Sequence, residues 1–90
     1  MVTKQWCVYM VRCAKGALYT GMTGDVAARV RRHNSGRGAR CLKALGLPVT
    51  LVYTEGCPTR AAAMKRERQL KRLTKREKEQ LVTSGHGPAW

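Results

Sequence analysis

No phenylalanine occurs in this 90-residue sequence, and it holds only three prolines and five acidic side chains. Each scarcity closes something off. Without Phe, the two Trp and three Tyr are the aromatic supply of the chain, so a buried role is expected for them ahead of a stacking one. No segment approaches the ~20 apolar residues of a membrane span, and the N-terminus lacks a signal-like apolar run. A cytoplasmic protein is therefore expected, nucleoid-associated if bacterial and nuclear if eukaryotic or viral, with no membrane partner. The cysteines at 7, 13, 41 and 57 form no C-x-x-C pair, and the two His do not complete metal-site spacing. That argues against zinc and for reduced, buried thiols, with Cys7 and Cys13 serving as small hydrophobes in an apolar stretch. There is no internal repeat. Residues 1–90 read as one domain, its core at about 5–83 and a flexible tail at 84–90.

What the chain has in excess is positive charge. Eighteen Lys and Arg against five acids give a formal net charge of +13. Charge of that size repels itself in a compact body and implies a polyanionic partner. Nucleic acid, DNA above all, is the expected one, ahead of an anionic membrane surface. Nine of the eighteen basic residues lie between Arg60 and Lys78, so the field is densest over the last helices. A hydrophobic fraction of 43% suits a folded globule rather than a disordered basic tail.

Residues 5–13 are nearly continuously apolar and rich in β-formers, as in a central strand covered on both faces. Ala14-Lys15-Gly16 supplies a turn, and residues 17–22 resume an extended pattern, so the two segments read as a hairpin. A three-residue loop sets Tyr9 opposite Gly21 and Tyr19 opposite Val11. Both phenols then share one face; a one-residue slip would separate them. Asp25 to Asn34 reads as a helix that stops before Gly36. Its wheel places Val26, Arg29, Val30 and His33 on one side, while Arg31 and Arg32 point away.

Residues 36–40, Gly-Arg-Gly-Ala-Arg, read as a basic loop suited to following a phosphate backbone. A third strand is expected over 49–54. A helix capped by Thr59 follows to about Leu73, with Ala63, Glu67 and Leu70 on its inner stripe. Thr74-Lys-Arg-Glu77 matches a capping box for a last helix carrying Leu81 and Val82. The order β-β-α-β-α-α implies an α/β (α+β sandwich) domain, with a small three-stranded antiparallel or mixed sheet and about three helices.

Val8-Tyr9, then Tyr19-Thr20-Gly21, then R-x-x-x-H-N-x-G from Arg29 to Gly36, and Glu67 on a basic helix together resemble the GIY-YIG nucleases. The likeness runs from about residue 6 to 82 and is closest to the small stand-alone bacterial-type members. The resemblance implies a metal-dependent DNA endonuclease, selective for structure and linked to repair or recombination. Its catalytic set would be Tyr9, Tyr19, Arg29, His33 and Glu67. Glu67 would hold Mg²⁺ or Mn²⁺, since a hard cation prefers carboxylate oxygen, and Arg29 would clamp the phosphate with its planar fork. Arg31, Arg32, Arg37, Arg40 and Lys71 are the residues expected to hold nucleic acid, with a protein partner as a further source of specificity. For the base, His33 starts at a pKa of about 6.5, whereas a free Tyr at about 10 is hardly ionised at neutral pH. The resemblance gives Tyr9 an equal claim, so both stay open.

Each of these residues also has a bland reading. The tyrosines suit half-buried sheet positions, Glu67 suits an i,i+4 pair with Lys71, and His33 suits a helix C-terminus. The chain also departs from the family pattern. Cys7 replaces the first glycine, Met22 stands where many relatives carry Lys, and Lys78 or Glu79 falls where some carry Asn. Two other readings follow, a non-catalytic nucleic-acid-binding module with the same fold and a small basic RNA- or ribosome-associated protein.

Overall fold

In the computed structural model, which describes residues 5–38 and 40–84, the apolar run near the N-terminus becomes β1 (Trp6–Arg12), the central strand. It pairs antiparallel with β2 (Leu18–Thr23) and with β3 (Thr50–Cys57), giving the order β2-β1-β3. The expected antiparallel or mixed sheet is thus fully antiparallel. Four successive residues of β1, Val8 to Val11, are buried, because helices cover both faces and every second side chain finds a different core. One core joins Val8, Met10, Tyr53 and Cys57 to Ala63 and Leu70; the other joins Tyr9, Val11 and Cys13 to Leu42 and Val49.

The hairpin has the expected register. Tyr9 faces Gly21 and Val11 faces Tyr19. The turn closes with Cys13 N donating to Ala17 O and Gly16 N to Cys13 O, both at 2.8 Å, and Gly16 takes the positive φ of 95° that the turn requires.

Helix α1 (Val26–Asn34) starts where Asp25 Oδ1 accepts from Ala28 N at 3.1 Å. At its last residue, Asn34 acts as a peptide mimic: its amide nitrogen donates to Val49 O at 3.2 Å and its oxygen accepts from Val49 N at 2.7 Å. That pair ties α1 to the start of β3.

Two expectations change here. The basic loop ends early, because Arg40 heads a fourth helix, α2 (Arg40–Leu45). Six residues cannot sustain a helix in isolation; burial of Leu42 against the second core holds this one. The third strand runs on to Cys57 rather than ending at Thr54, and a register shift between Met10 and Val11 marks a bulge. The bulge sets Tyr53 opposite Met10 and Glu55 opposite Val8, so both side chains face the first core.

Helix α3 (Arg60–Lys71) begins with Thr59 Oγ1 accepting from Ala62 N at 3.0 Å. Helix α4 (Lys75–Ser84) opens with the predicted capping box, Thr74 N donating to Glu77 Oε1 at 2.9 Å and Glu77 N to Thr74 Oγ1 at 3.1 Å. Arg12 grips Glu79 with two nitrogens at 2.8 and 2.6 Å, tying α4 to β1. All four cysteines are free, but Cys41 is exposed and Cys7 half-buried, so only Cys13 and Cys57 are the buried thiols expected. Of the tail expected at 84–90, Ser84 ends α4, and residues 85–90 lie outside the described residues. Among the described residues no helix is long and apolar enough to cross a membrane.

Candidate active site

Tyr9 leaves the central strand on the α1 side, and its ring lies across Gly21 of the edge strand. A Cβ at Gly21 would sit 2.6 Å from the Tyr9 hydroxyl oxygen, so only glycine leaves the phenol room. The hydroxyl meets His33 Nε2 at 2.8 Å. Tyr19, on the same face, sets its ring edge-on to the imidazole with centroids 5.6 Å apart. Tyr9 is 2% exposed and His33 3%, so His33 is a buried partner of Tyr9 rather than a solvated helix cap. Gly38 closes the other side: any side chain there would overlap His33 Nδ1.

The electrostatics assign the protons. Burial pushes Tyr9 up to about 12; Tyr19 and the Glu67 carboxylate push the same way, and Arg29 opposes them. Burial also lowers His33 below its usual 6.5, with Arg29 and Arg32 adding to the effect. At neutral pH the phenol is protonated and the imidazole neutral. One ring nitrogen then carries hydrogen. If Nε2 donated to Tyr9, both the phenol proton and Nδ1 would lack partners. If Tyr9 donates to Nε2, only the Nδ1–H does, so the second arrangement is favoured. His33 Nδ1 and Thr20 Oγ1 are the buried side-chain atoms without a hydrogen-bond partner among the described residues. Such an atom costs about 1–3 kcal/mol, an expense more typical of a site than of a scaffold.

Arg29 is exposed on α1, yet its charge reaches both Tyr9 and His33. Glu67 comes from α3 on the opposite side of the sheet, its side chain 21% exposed, and its charge raises the pKa of Tyr19 as well as Tyr9. The field of the carboxylate therefore reaches both phenols from the far side of the sheet. Of the expected catalytic set, Tyr9, Tyr19 and His33 are in direct contact, and Arg29 and Glu67 act on them through their charges.

The residues expected to hold nucleic acid divide. Arg29, Arg31, Arg32 and Arg37 line one open groove of about 760 Å³ beside the site, together with Trp6 and Asp25. Lys71 lies elsewhere, its ammonium 3.5 Å from Glu67 in the i,i+4 pair. The side chain of Arg40 lies outside the described residues.

A divalent ion fits this chemistry. Among the described residues no three His, Cys, Asp or Glu cluster as a metal cage, but a magnesium-like cation that keeps most of its waters asks for only one or two carboxylates. Glu67 offers one.

Three features were not foreseen from the sequence. Glu55 is buried with its side chain fully covered, accepting from Tyr53 Oη at 2.7 Å and from Arg66 Nε at 2.8 Å. The alternation Tyr53-x-Glu55 in a strand was the available signal for it. Asn34 serves as a clamp on β3, and Gly38 packs on the imidazole; for the last, no local pattern gave a signal.

A family model described as the GIY-YIG catalytic domain matches residues 5–80. The chain is 48% identical over 82 residues to a UPF0213 protein of Citrobacter koseri, covering 91% of this chain and 81% of that protein. It is 44% identical to the UPF0213 protein YhbQ of Escherichia coli K12, with the same shares covered. Among solved structures, the UPF0213 protein BH0048 of Bacillus halodurans superposes with a TM-score of 0.59 at 40% identity, covering 93% of this chain and 88% of that one. The E. faecalis protein EF2693 superposes with a TM-score of 0.61 at 32% identity, covering 91% and 86%.

Proposed function

The chain belongs to the GIY-YIG family, a nuclease fold family, and from that premise we propose that it is a metal-dependent endonuclease hydrolysing phosphodiester bonds in DNA. The observation that carries the reading is the buried 2.8 Å bond between Tyr9 and His33, with Arg29 and Glu67 both acting on the same phenol. Neither partner suffices alone. A phenol at about 12 keeps its proton at neutral pH, and the imidazole Nε2 is already engaged by the phenol, so it reaches a water only through Tyr9. Together they form a relay: the attacking water gives its proton to Tyr9 Oη as the phenol proton passes to His33 Nε2. Arg29 holds the scissile phosphate through two oxygens and favours the transient phenolate. Tyr19 orients the water or the phosphate from the same face. Glu67 would hold a Mg²⁺ or Mn²⁺ ion, which would supply Lewis-acid stabilisation of the leaving oxygen. Arg31, Arg32 and Arg37 in the adjoining groove hold the flanking backbone. The cytoplasm, beside the nucleoid, is the compartment in which DNA would be met; repair or recombination of branched DNA is the proposed setting, with a partner protein adding selectivity.

The test is nicking of plasmid and branched DNA with Mg²⁺ or Mn²⁺, comparing wild type with Glu67→Ala. Equal cleavage by both removes the metal role of Glu67. One observation favours a binding module instead: Lys71 already sits 3.5 Å from Glu67, where a metal ion would have to displace it. That alternative predicts strong, salt-sensitive binding with no cleavage of any DNA or RNA form under any metal.

A further inference from the structure

Helix α3 carries the carboxylate of the site, yet the turn around Glu67 contributes no buried apolar side chain. Its buried anchors are Ala63 and Leu70, nearly two turns apart. Between them lie Met64, which is 43% exposed, and a run of charged and polar residues. Ala63 is a small knob, and one small knob and one Leu resist rolling of a helix weakly. Thr59 secures the first turn at the N-cap, but a cap does not fix the rotation of residues two turns away.

One polar tie crosses that gap. Arg66, adjacent to Glu67, donates from Nε to Glu55 Oε1 at 2.8 Å, while Tyr53 Oη donates to the other oxygen at 2.7 Å. Arg66 then extends to Gln69 Oε1 at 3.1 Å, one turn on along α3. Among the described residues this is the only side-chain hydrogen bond or ion pair between α3 and the strands. Glu55 lies on β3 at one edge of the sheet, and Glu67 acts on phenols at the β2 edge. Of two consecutive residues of α3, one is thus fixed to β3 and the other acts on the phenols by its charge.

Burying a carboxylate and a guanidinium adds little net stability over an apolar pair of similar volume. Such a pair does define a geometry. Side-chain ends lie roughly 5–6 Å from a helix axis, so a roll of roughly 20° shifts a carboxylate by about 2 Å. That is as long as a magnesium–oxygen bond, in a coordination sphere that demands near-ideal angles. We propose that the Tyr53–Glu55–Arg66 network is a positioning device, which sets the rotation of α3 and so aims Glu67 at the divalent ion and the phenols. The inference rests on the metal reading of Glu67 and assigns the network no direct contact with substrate.

The experiment titrates the full-length chain with Mn²⁺ alone and follows broadening of the backbone amides around Glu67. Three proteins are compared: wild type, Glu55→Gln, and the double variant Glu55→Gln/Arg66→Met. The double variant removes both charges together, so it keeps a folded reference if Glu55→Gln by itself leaves Arg66 too poorly paired. Thermal melting is recorded for each. Both variants should need about ten-fold more Mn²⁺ for the same broadening, with the double variant melting close to wild type. Broadening at Glu67 in wild type that is unchanged in the folded variants overturns the inference and leaves the metal site standing. Broadening centred elsewhere in wild type overturns the metal reading, and this inference with it.

Discussion

The two faces of the sheet each bury a tyrosine whose pKa is pushed up to about 12, and the two have opposite meanings. Tyr53 donates into a carboxylate that also accepts from Arg66, so each member of that network has its partner. Tyr9 donates to an imidazole whose second nitrogen is buried without one. A shifted pKa therefore does not locate chemistry by itself; both shifts are led by burial. What separates the faces is satisfaction. The complete network holds elements together, and the incomplete pair keeps a neutral imidazole whose Nε2 can take the phenol proton.

The sharpest break of that comparison removes one hydroxyl on each side. Tyr9→Phe should reduce metal-dependent cleavage by roughly 10²–10⁴-fold, the usual range for a lost general base. Tyr53→Phe at saturating metal should leave cleavage within a few-fold of wild type. Matched plasmid-nicking rates decide it, and similar losses in both variants would erase the distinction. Next in size is Glu55→Leu, which leaves Arg66 without its carboxylate. It should cost about 3 kcal/mol in urea unfolding, toward the low end because Arg66 is 27% exposed. A cost within error of zero would show that the network holds nothing.

Proton linkage gives a smaller effect, with a different sign of pH on each limb. The native His33 pKa is depressed, so the unfolded chain binds that proton first. Stability should be level above about pH 6.5 and fall as the pH drops through that value toward the native pKa. Tyr9 and Tyr53 are raised in the native state, so stability should be level below about pH 10 and fall between about 10 and 12. Urea midpoints across pH read both limbs, and His33→Asn should flatten only the acid one. Smallest is the groove: Arg31→Ala and Arg32→Ala should each lower the salt slope of DNA binding by about one. Unchanged slopes would move the backbone path off α1.

Much of the site was legible in the sequence, and for local reasons. The hairpin register follows from a three-residue loop, so Tyr9 and Tyr19 had to share a face once Gly16 made the turn. Arg29 and His33 are one helical turn apart, and Asp25 and Thr59 cap where they were expected to. What was not legible depends on distant contacts. Helix α2 exists because Leu42 is covered by the second core. Glu55 reads as an ordinary strand residue until the bulge in β3 and Arg66 of α3 enclose it. Gly38 has meaning only because an imidazole lies against it.

From sequence alone came the three strands, three of the four helices, the shared face of the phenols and the charge that calls for a polyanion. These depend on turn geometry, helical periodicity and composition, each written within a few neighbouring residues. The tertiary structure decided which side chains are sealed from water, and hence where protons reside. It also decided that the charge of a carboxylate on one face of the sheet would act on phenols of the other. Burial and meeting are properties of packing between distant segments, and no window along the chain contains them.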